Sequence, residues 1–147
     1  MYNFKNILIA TDFSPAAWQA IKAGVALAKL PNAKITLLHV YPRRADPEDN
    51  TELHHFANLR KRITKISSDL GSNHRLEIDS VILNGNIPDV ITKFVKENQI
   101  DLVLMGANSS NMDSHLGRHT TLVIESSPAP VMVIPPIIEN VEYAVQS

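Results

Sequence analysis

The sequence predicts an α/β domain built on a doubly wound, five-stranded parallel sheet in the order 3-2-1-4-5, with helices on both faces, a Rossmann-like or flavodoxin-like fold. Five short apolar runs alternate with four helical stretches, and such alternation is typical of parallel strands joined by right-handed crossovers. The chain has 147 residues, of which 44% are hydrophobic, enough for one domain with its own core. We expect this domain to span residues 1–136 and a C-terminal tail to span 137–147.

The predicted strands are short and mostly apolar. The first and fourth, at 6–10 and 102–106, are apolar on both faces, as strands covered by helices on both sides are. The third, at 76–83, begins with alternating apolar and acidic residues, which predicts a sheet edge with one solvated face. The second and fifth are predicted at 35–40 and 131–134.

The predicted helices follow from caps and periodicity. Ser14 is a typical N-cap and Pro15 suits the first helical position, where no amide hydrogen is needed. Small residues at helical spacing then line one face to about residue 30, so this helix can lie close to the sheet. The other helices are predicted at 52–70, ended by Gly71, from Pro88 onward, and at 117–125.

The composition excludes several classes of function. There is no cysteine, which removes disulfides, thiolate catalysis and iron–sulfur clusters, and fits the cytoplasm that we expect. The chain carries 14 Lys+Arg and 15 Asp+Glu, so we expect no nucleic-acid partner bound through bulk positive charge. Residues 1–75 hold 11 basic and 6 acidic side chains, but the basic run at 60–65 is typical of a solvated helix face. No apolar run approaches the ~20 residues that cross a bilayer, and we expect neither a leader segment nor a membrane partner.

A ligand site is predicted where the strand order reverses, between the carboxyl ends of strands one and four. Asp12 stands there and can accept hydrogen bonds from a ribose or an adenine amine or hold a metal, although it can equally cap the following helix. His39 lies within an apolar strand, which favours a hydrogen-bonded core histidine over a ligand. The residues predicted to border the site are Ala10, Thr11, Asp12, Val40, Met105 and Gly106.

The polar loop between Gly106 and Gly117 is the predicted phosphate-binding element. Free amides at the start of the last helix attract anions, and Gly106 would let the backbone turn and a ligand approach. The loop contains neither a Walker motif nor GxGxxG, so an ordinary strand-to-helix loop remains the alternative. The further side chains predicted at this end of the site are Asn108, Ser109, Arg118, His119 and Thr120.

Three segments together resemble the universal stress protein family: 7–14 with its TDFS turn, 37–40, and 101–106 with the closing stretch 127–135. The resemblance covers residues 3 to about 135. It implies cytoplasmic residence and a homodimer made by pairing of the last strands, here Val131, Met132, Val133 and Ile134. One branch of the family binds ATP, which implies adenosine contacts at Thr11, Asp12, Val40, Met105 and Gly106; the other branch does not hold nucleotide well.

The phosphate motif of the ATP-binding branch, G-x2-G-x9-G-[S/T], is only partly matched. Gly106 fits the first glycine, whereas Ser109 stands at the second, and a side chain there disfavours a positive φ. Gly117 fits the third glycine when two residues are deleted, and Arg118 replaces the hydroxyl residue. Arg118 can pair with a phosphate or fill the phosphate pocket itself.

Two functions therefore stay open. The first is a regulatory or stress-response protein that binds ATP, ADP or AMP, with magnesium between a phosphate and Asp113. The second is a nucleotide-free homodimeric interaction module with unknown protein partners. We expect at most a weak ATPase, because no catalytic base or metal pair stands out in the sequence.

Overall fold

Five parallel strands form one sheet in the order β3-β2-β1-β4-β5, as predicted. The computed structural model describes residues 4–29, 33–42, 50–107 and 118–135; the predicted tail at 137–147 and its boundary lie outside them. The elements in chain order are β1 (Asn6–Ala10), α1 (Pro15–Ala28), β2 (Lys34–Tyr41), α2 (Asn50–His74), β3 (Glu77–Asn84), α3 (Ile87–Glu97), β4 (Leu102–Gly106), α4 (Arg118–Ser126) and β5 (Val131–Ile134).

The core has two layers, one on each face of the sheet. Side chains alternate along β1, so Ile7 and Ile9 face one layer and Leu8 faces the other, and all three are fully buried. The helices α1 and α2 cover the first face, and α3 and α4 cover the second. This arrangement explains why β1 and β4 are apolar on both faces, whereas β3, at the edge, begins with alternating exposed and half-buried positions.

The small face of α1 packs closely against the sheet, as its composition predicts. Ser14 caps the helix, because its Oγ accepts a hydrogen bond from the Ala17 amide at 3.1 Å. At Gly24 an added Cβ would collide with Cδ1 of Ile9 in β1. Glycine at this position therefore leaves room for the Ile9 side chain between helix and sheet.

Helix α2 is longer than predicted, since it passes through Gly71 and ends at His74. The chain leaves the helix one residue later, at Arg75, which has a φ of 55°. The Leu76 amide donates to the Gly71 carbonyl at 3.1 Å, the 6→1 bond of a Schellman motif. The predicted end at Gly71 was wrong, because the residue with left-handed backbone that ends this helix is Arg75 and not a glycine.

No helix in the described ranges is long and apolar enough to cross a lipid bilayer.

Candidate functional site

The carboxyl ends of β1 and β4 border a cleft of about 280 Å³. This is the position at which the strand order reverses, where open α/β sheets place their ligands. The predicted residues that line it are Ala10, Thr11, Asp12, Val40, Met105, Gly106, Arg118, His119 and Thr120. Every described residue that was predicted for the ligand site therefore lines this one cleft, while Asn108, Ser109 and Gly117 lie outside the described residues.

The turn between β1 and α1 is held by its own hydrogen bonds. The Thr11 amide donates to the Leu38 carbonyl at 2.8 Å, and Thr11 Oγ1 accepts from the Phe13 amide at 3.0 Å. Asp12 Oδ1 accepts from the Ser14 amide at 2.9 Å. Asp12 is exposed, and its Oδ2 has no hydrogen-bond partner among the side chains and backbone that the structure describes. One oxygen thus fixes the turn, and the other is available to a ligand donor.

His39 supports this turn from the neighbouring strand. Its Nδ1 lies 2.7 Å from the Thr11 carbonyl oxygen, so Nδ1 carries the hydrogen and donates it. Its ring centroid lies 4.7 Å from that of Phe13. The half-buried histidine is thus hydrogen-bonded and does not line the cleft, in agreement with the core role predicted for it.

Gly106 makes close contact with the start of helix α1, and it does not need the backbone freedom of glycine for a turn. An added Cβ would collide with the backbone carbonyl of Ala16 and lie 2.7 Å from the Ala17 nitrogen. Its φ is outside the left-handed region that requires glycine, since Gly85 is the glycine with a positive φ in the described chain. Gly106 therefore lets the first turn of α1 rest on the end of β4, and this contact closes one wall of the cleft.

The apolar walls include residues that sequence reasoning did not assign to the site. Leu38 lies two positions before Val40 on the same face of β2, and Ile87 and Ile91 occupy the first turns of α3. The sequence could have placed these residues at the site. Alternate residues of a strand share a face, and a helix that follows a parallel strand begins at the edge of the sheet where the strands end. The remaining residues not predicted for the site are Ser14, Pro15, Ala17 and Ala107.

The far end of the cleft is formed by the start of α4. Arg118 and His119 are exposed, whereas Thr120 is buried. A guanidinium and the free amides of a helix start both attract anions. This end thus carries positive potential, and Asp12 supplies a negative charge elsewhere on the cleft wall. Within the described ranges there is no cluster of three His, Asp or Glu side chains that would hold a metal ion.

Comparison with known proteins gives a consistent result. The model of the universal stress protein family matches residues 3–135. Universal stress protein A of Yersinia pestis is 30% identical over 108 residues, covering 70% of this chain and 73% of the relative. The structure of UspA from Lactobacillus plantarum superimposes with a TM-score of 0.78 at 24% identity, covering 91% and 99% of the two chains.

A second solved structure is that of a universal stress protein family protein from Arabidopsis thaliana with AMP bound. It has a TM-score of 0.71 at 19% identity and covers 95% of this chain and 97% of its own. At these identities the two structures establish the fold.

Proposed function

This chain belongs to the universal stress protein family, and from the cleft built on that fold we propose that it binds an adenine nucleotide, ATP, ADP or AMP, in a regulatory role in the cytoplasm. One observation carries the proposal: a single cleft is bordered by a carboxylate, by apolar walls and by the cationic start of a helix, and one oxygen of that carboxylate has no partner among the described residues. These are the three kinds of contact that ribose, adenine and phosphate require. The AMP held by the Arabidopsis relative adds support.

The adenosine half of the proposal depends on buried apolar walls. Leu38, Ile91, Met105 and Val40 are each less than a tenth exposed and offer a dry surface to a flat ring. Asp12 Oδ2 would accept a hydrogen bond from a ribose hydroxyl. Since Oδ1 already fixes the turn, the second oxygen is positioned before a ligand arrives.

The phosphate half of the proposal depends on Arg118, Thr120 and the first amides of α4. A guanidinium pairs with phosphate through two parallel hydrogen bonds, so Arg118 would favour charged nucleotides over adenosine. The magnesium ion expected beside Asp113 stays part of the proposal for ATP, and Asp113 lies outside the described residues.

The test is a calorimetric titration of the purified protein with adenosine, AMP, ADP and ATP, with and without magnesium. We expect the Asp12→Asn variant to weaken all four ligands, because it removes the charge that the ribose donors would meet. We expect Arg118→Gln to weaken the nucleotides but not adenosine. Asp69→Asn is the matched control, since Asp69 is an exposed carboxylate on α2 away from the cleft. Absence of binding at millimolar nucleotide would refute the proposal.

We also propose that the chain forms a homodimer through Val131–Ile134. In support, β5 is an edge strand, and unpaired edges of apolar strands are prone to pair with another copy. Met132 on β5 and Leu122 and Ile124 on α4 are large apolar side chains exposed by 37%, 43% and 43%. These exposed apolar side chains support the second candidate function, a nucleotide-free homodimeric interaction module.

Sedimentation equilibrium tests the dimer. We expect the wild-type chain to be dimeric and Met132→Lys to be monomeric, because a buried lysine at the edge opposes pairing. Leu53→Lys is the control, since Leu53 is an equally apolar residue, 72% exposed, on α2. A monomeric wild type at high micromolar concentration would contradict the proposal.

A further inference from the structure

A second cavity, of about 270 Å³, lies between α1 and α2. Its walls define what we call the α1–α2 groove: Thr11, Phe13, Ser14, Pro15, Trp18, Ile21, Arg62 and Ile66. Thr11, Ser14 and Pro15 also border the nucleotide cleft, so the two cavities share the turn after β1 as a common wall. The groove is otherwise made of side chains that play no part in the proposed nucleotide site.

The groove presents aromatic surface to solvent. Trp18, on α1, is 40% exposed and is the one tryptophan of the chain. Phe13 lines the same cavity, and Ile21, which is 2% exposed, joins it to the core. An exposed indole and a phenyl ring lining one cavity form a surface suited to a flat apolar group.

Phe13 is held in a conformation that large side chains rarely adopt. Its φ is 64°, which is costly for a residue with a Cβ. The ring contacts two partners: the His39 ring centroid lies 4.7 Å from its own, and Cζ of Arg62 lies 4.4 Å from it. The conformational free energy that such a backbone costs is tolerated only where surrounding contacts fix the residue. Residues of this kind are concentrated at ligand-binding sites.

Among the residues that the structure describes, Arg62 is a cation without a carboxylate partner. The ion pairs among the described side chains are Lys34–Asp79, Lys65–Asp69 and Lys93–Glu97, and none includes Arg62. Arg62 is exposed and its guanidinium carbon lies over the Phe13 ring. A guanidinium that stacks on an aromatic ring keeps its N–H edge free for a planar anion.

We propose that the α1–α2 groove is a second ligand site, which binds a small free carboxylic acid carrying one apolar ring. The ring packs against Trp18 and Phe13, and the carboxylate forms paired hydrogen bonds with Arg62. The groove offers two aromatic side chains and one guanidinium, which matches a ligand with a single ring and one carboxylate. The observations that support this second site are independent of the proposal that the cleft binds a nucleotide.

The experiment uses phenylacetate as the probe and the fluorescence of Trp18 as the readout, with the full chain free of nucleotide. Because the chain has one tryptophan, its emission reports on the surroundings of Trp18, which lines this groove. We expect a saturable change with phenylacetate, and binding at least about tenfold weaker for phenylacetamide, which lacks the charge, and for acetate, which lacks the ring. Equal responses to phenylacetate and phenylacetamide would overturn the proposal, as would no response to phenylacetate at millimolar concentration.

Matched variants separate the groove from general charge effects. Arg62→Gln should weaken phenylacetate binding at least about tenfold. Arg60→Gln removes the same charge from the same helix outside the groove and should leave binding unchanged. Unchanged binding in Arg62→Gln, with wild-type circular dichroism, would overturn the assignment.

A peptide ending in phenylalanine carries the same ring and carboxylate. Titration with Gly-Gly-Phe therefore separates a free acid from a chain terminus. We expect phenylacetate to bind more tightly, and tighter binding of the peptide would overturn the assignment to a free acid.

Discussion

Replacing Gly106 with alanine places a methyl group against the backbone of α1. The new Cβ collides with the Ala16 carbonyl and lies 2.7 Å from the Ala17 nitrogen. Both groups are main-chain atoms in the first turn of a helix, so neither can turn aside as a side chain does. To make room, the start of α1 must move away from the end of β4.

The free-energy cost of Gly106→Ala can be compared with that of the same substitution at Gly24. Overpacking a core costs about 1 to 3 kcal/mol, and rigid backbone puts Gly106→Ala near 3 kcal/mol. At Gly24 the new methyl group meets the end of the Ile9 side chain, which can change rotamer, and alanine favours the helix by about 1 kcal/mol. We therefore expect Gly24→Ala to cost no more than about 1 kcal/mol.

Thermal unfolding followed by circular dichroism measures the difference. For a chain of 147 residues the unfolding entropy is about 0.3 kcal/mol/K, so 3 kcal/mol lowers Tm by about 10 °C. Gly24→Ala should lower Tm by about 3 °C or less. If Gly106→Ala melted within about 2 °C of the wild type, or if Gly24→Ala were the less stable variant, the packing role assigned to Gly106 would be wrong.

Three further changes have defined outcomes. Asp101→Ala should lower the free energy of unfolding, measured by urea denaturation, by about 1 to 2 kcal/mol, because the Asp101 carboxylate accepts hydrogen bonds from the Lys5 amide at 3.0 Å and the Asn6 amide at 3.1 Å. Asp101→Asn should recover part of this loss, and equal losses in the two variants would contradict the explanation. Arg75→Gly should raise stability by about 0.5 to 1 kcal/mol in the same assay, because glycine adopts a φ of 55° without strain, and a loss of stability would contradict this. The hydrogen bond and the charge of Asp79, 2.8 Å away, raise the pKa of Lys34 above its ordinary 10.5. The stabilisation is therefore fully present below pH 10.5 and is lost as the pH rises through the raised pKa of Lys34. Since both groups are exposed, Asp79→Asn should cost under about 0.5 kcal/mol at pH 7 and less as the pH rises through that pKa, and a growing cost at high pH would contradict the sign.

The sheet was predictable because its evidence is local. Apolar runs and helix caps mark each strand and each helix start, and the alternation then leaves one common topology. The end of α2 was not predictable in the same way, since Arg75 adopts the left-handed conformation although arginine rarely does. Gly71, a plausible helix end in the sequence, lies within the helix.

The site was predictable to the extent that it follows from topology. Asp12 and Met105 meet because strands one and four end side by side. The reason for Gly106 could not be read from the sequence, because the group it makes room for belongs to a helix about ninety residues away in the chain. The contribution of α3 was missed because Ile91 looks like any buried residue of an amphipathic helix until its position at the sheet edge is known.

β1 lies in the middle of the sheet, and from its two neighbours we expect a definite order of strand pairing as the cleft forms during folding. β1 pairs with β2 through Ile7 and Ile35, close along the chain, but with β4 through Ile7 and Leu102, far apart along the chain. Contacts between distant segments form late, since the intervening chain must lose more freedom to close. A partly folded chain with only β3, β2 and β1 paired has one wall of the cleft and no ligand site. A ligand that binds there stabilises only the complete sheet, so it should slow unfolding without hastening the first steps of folding.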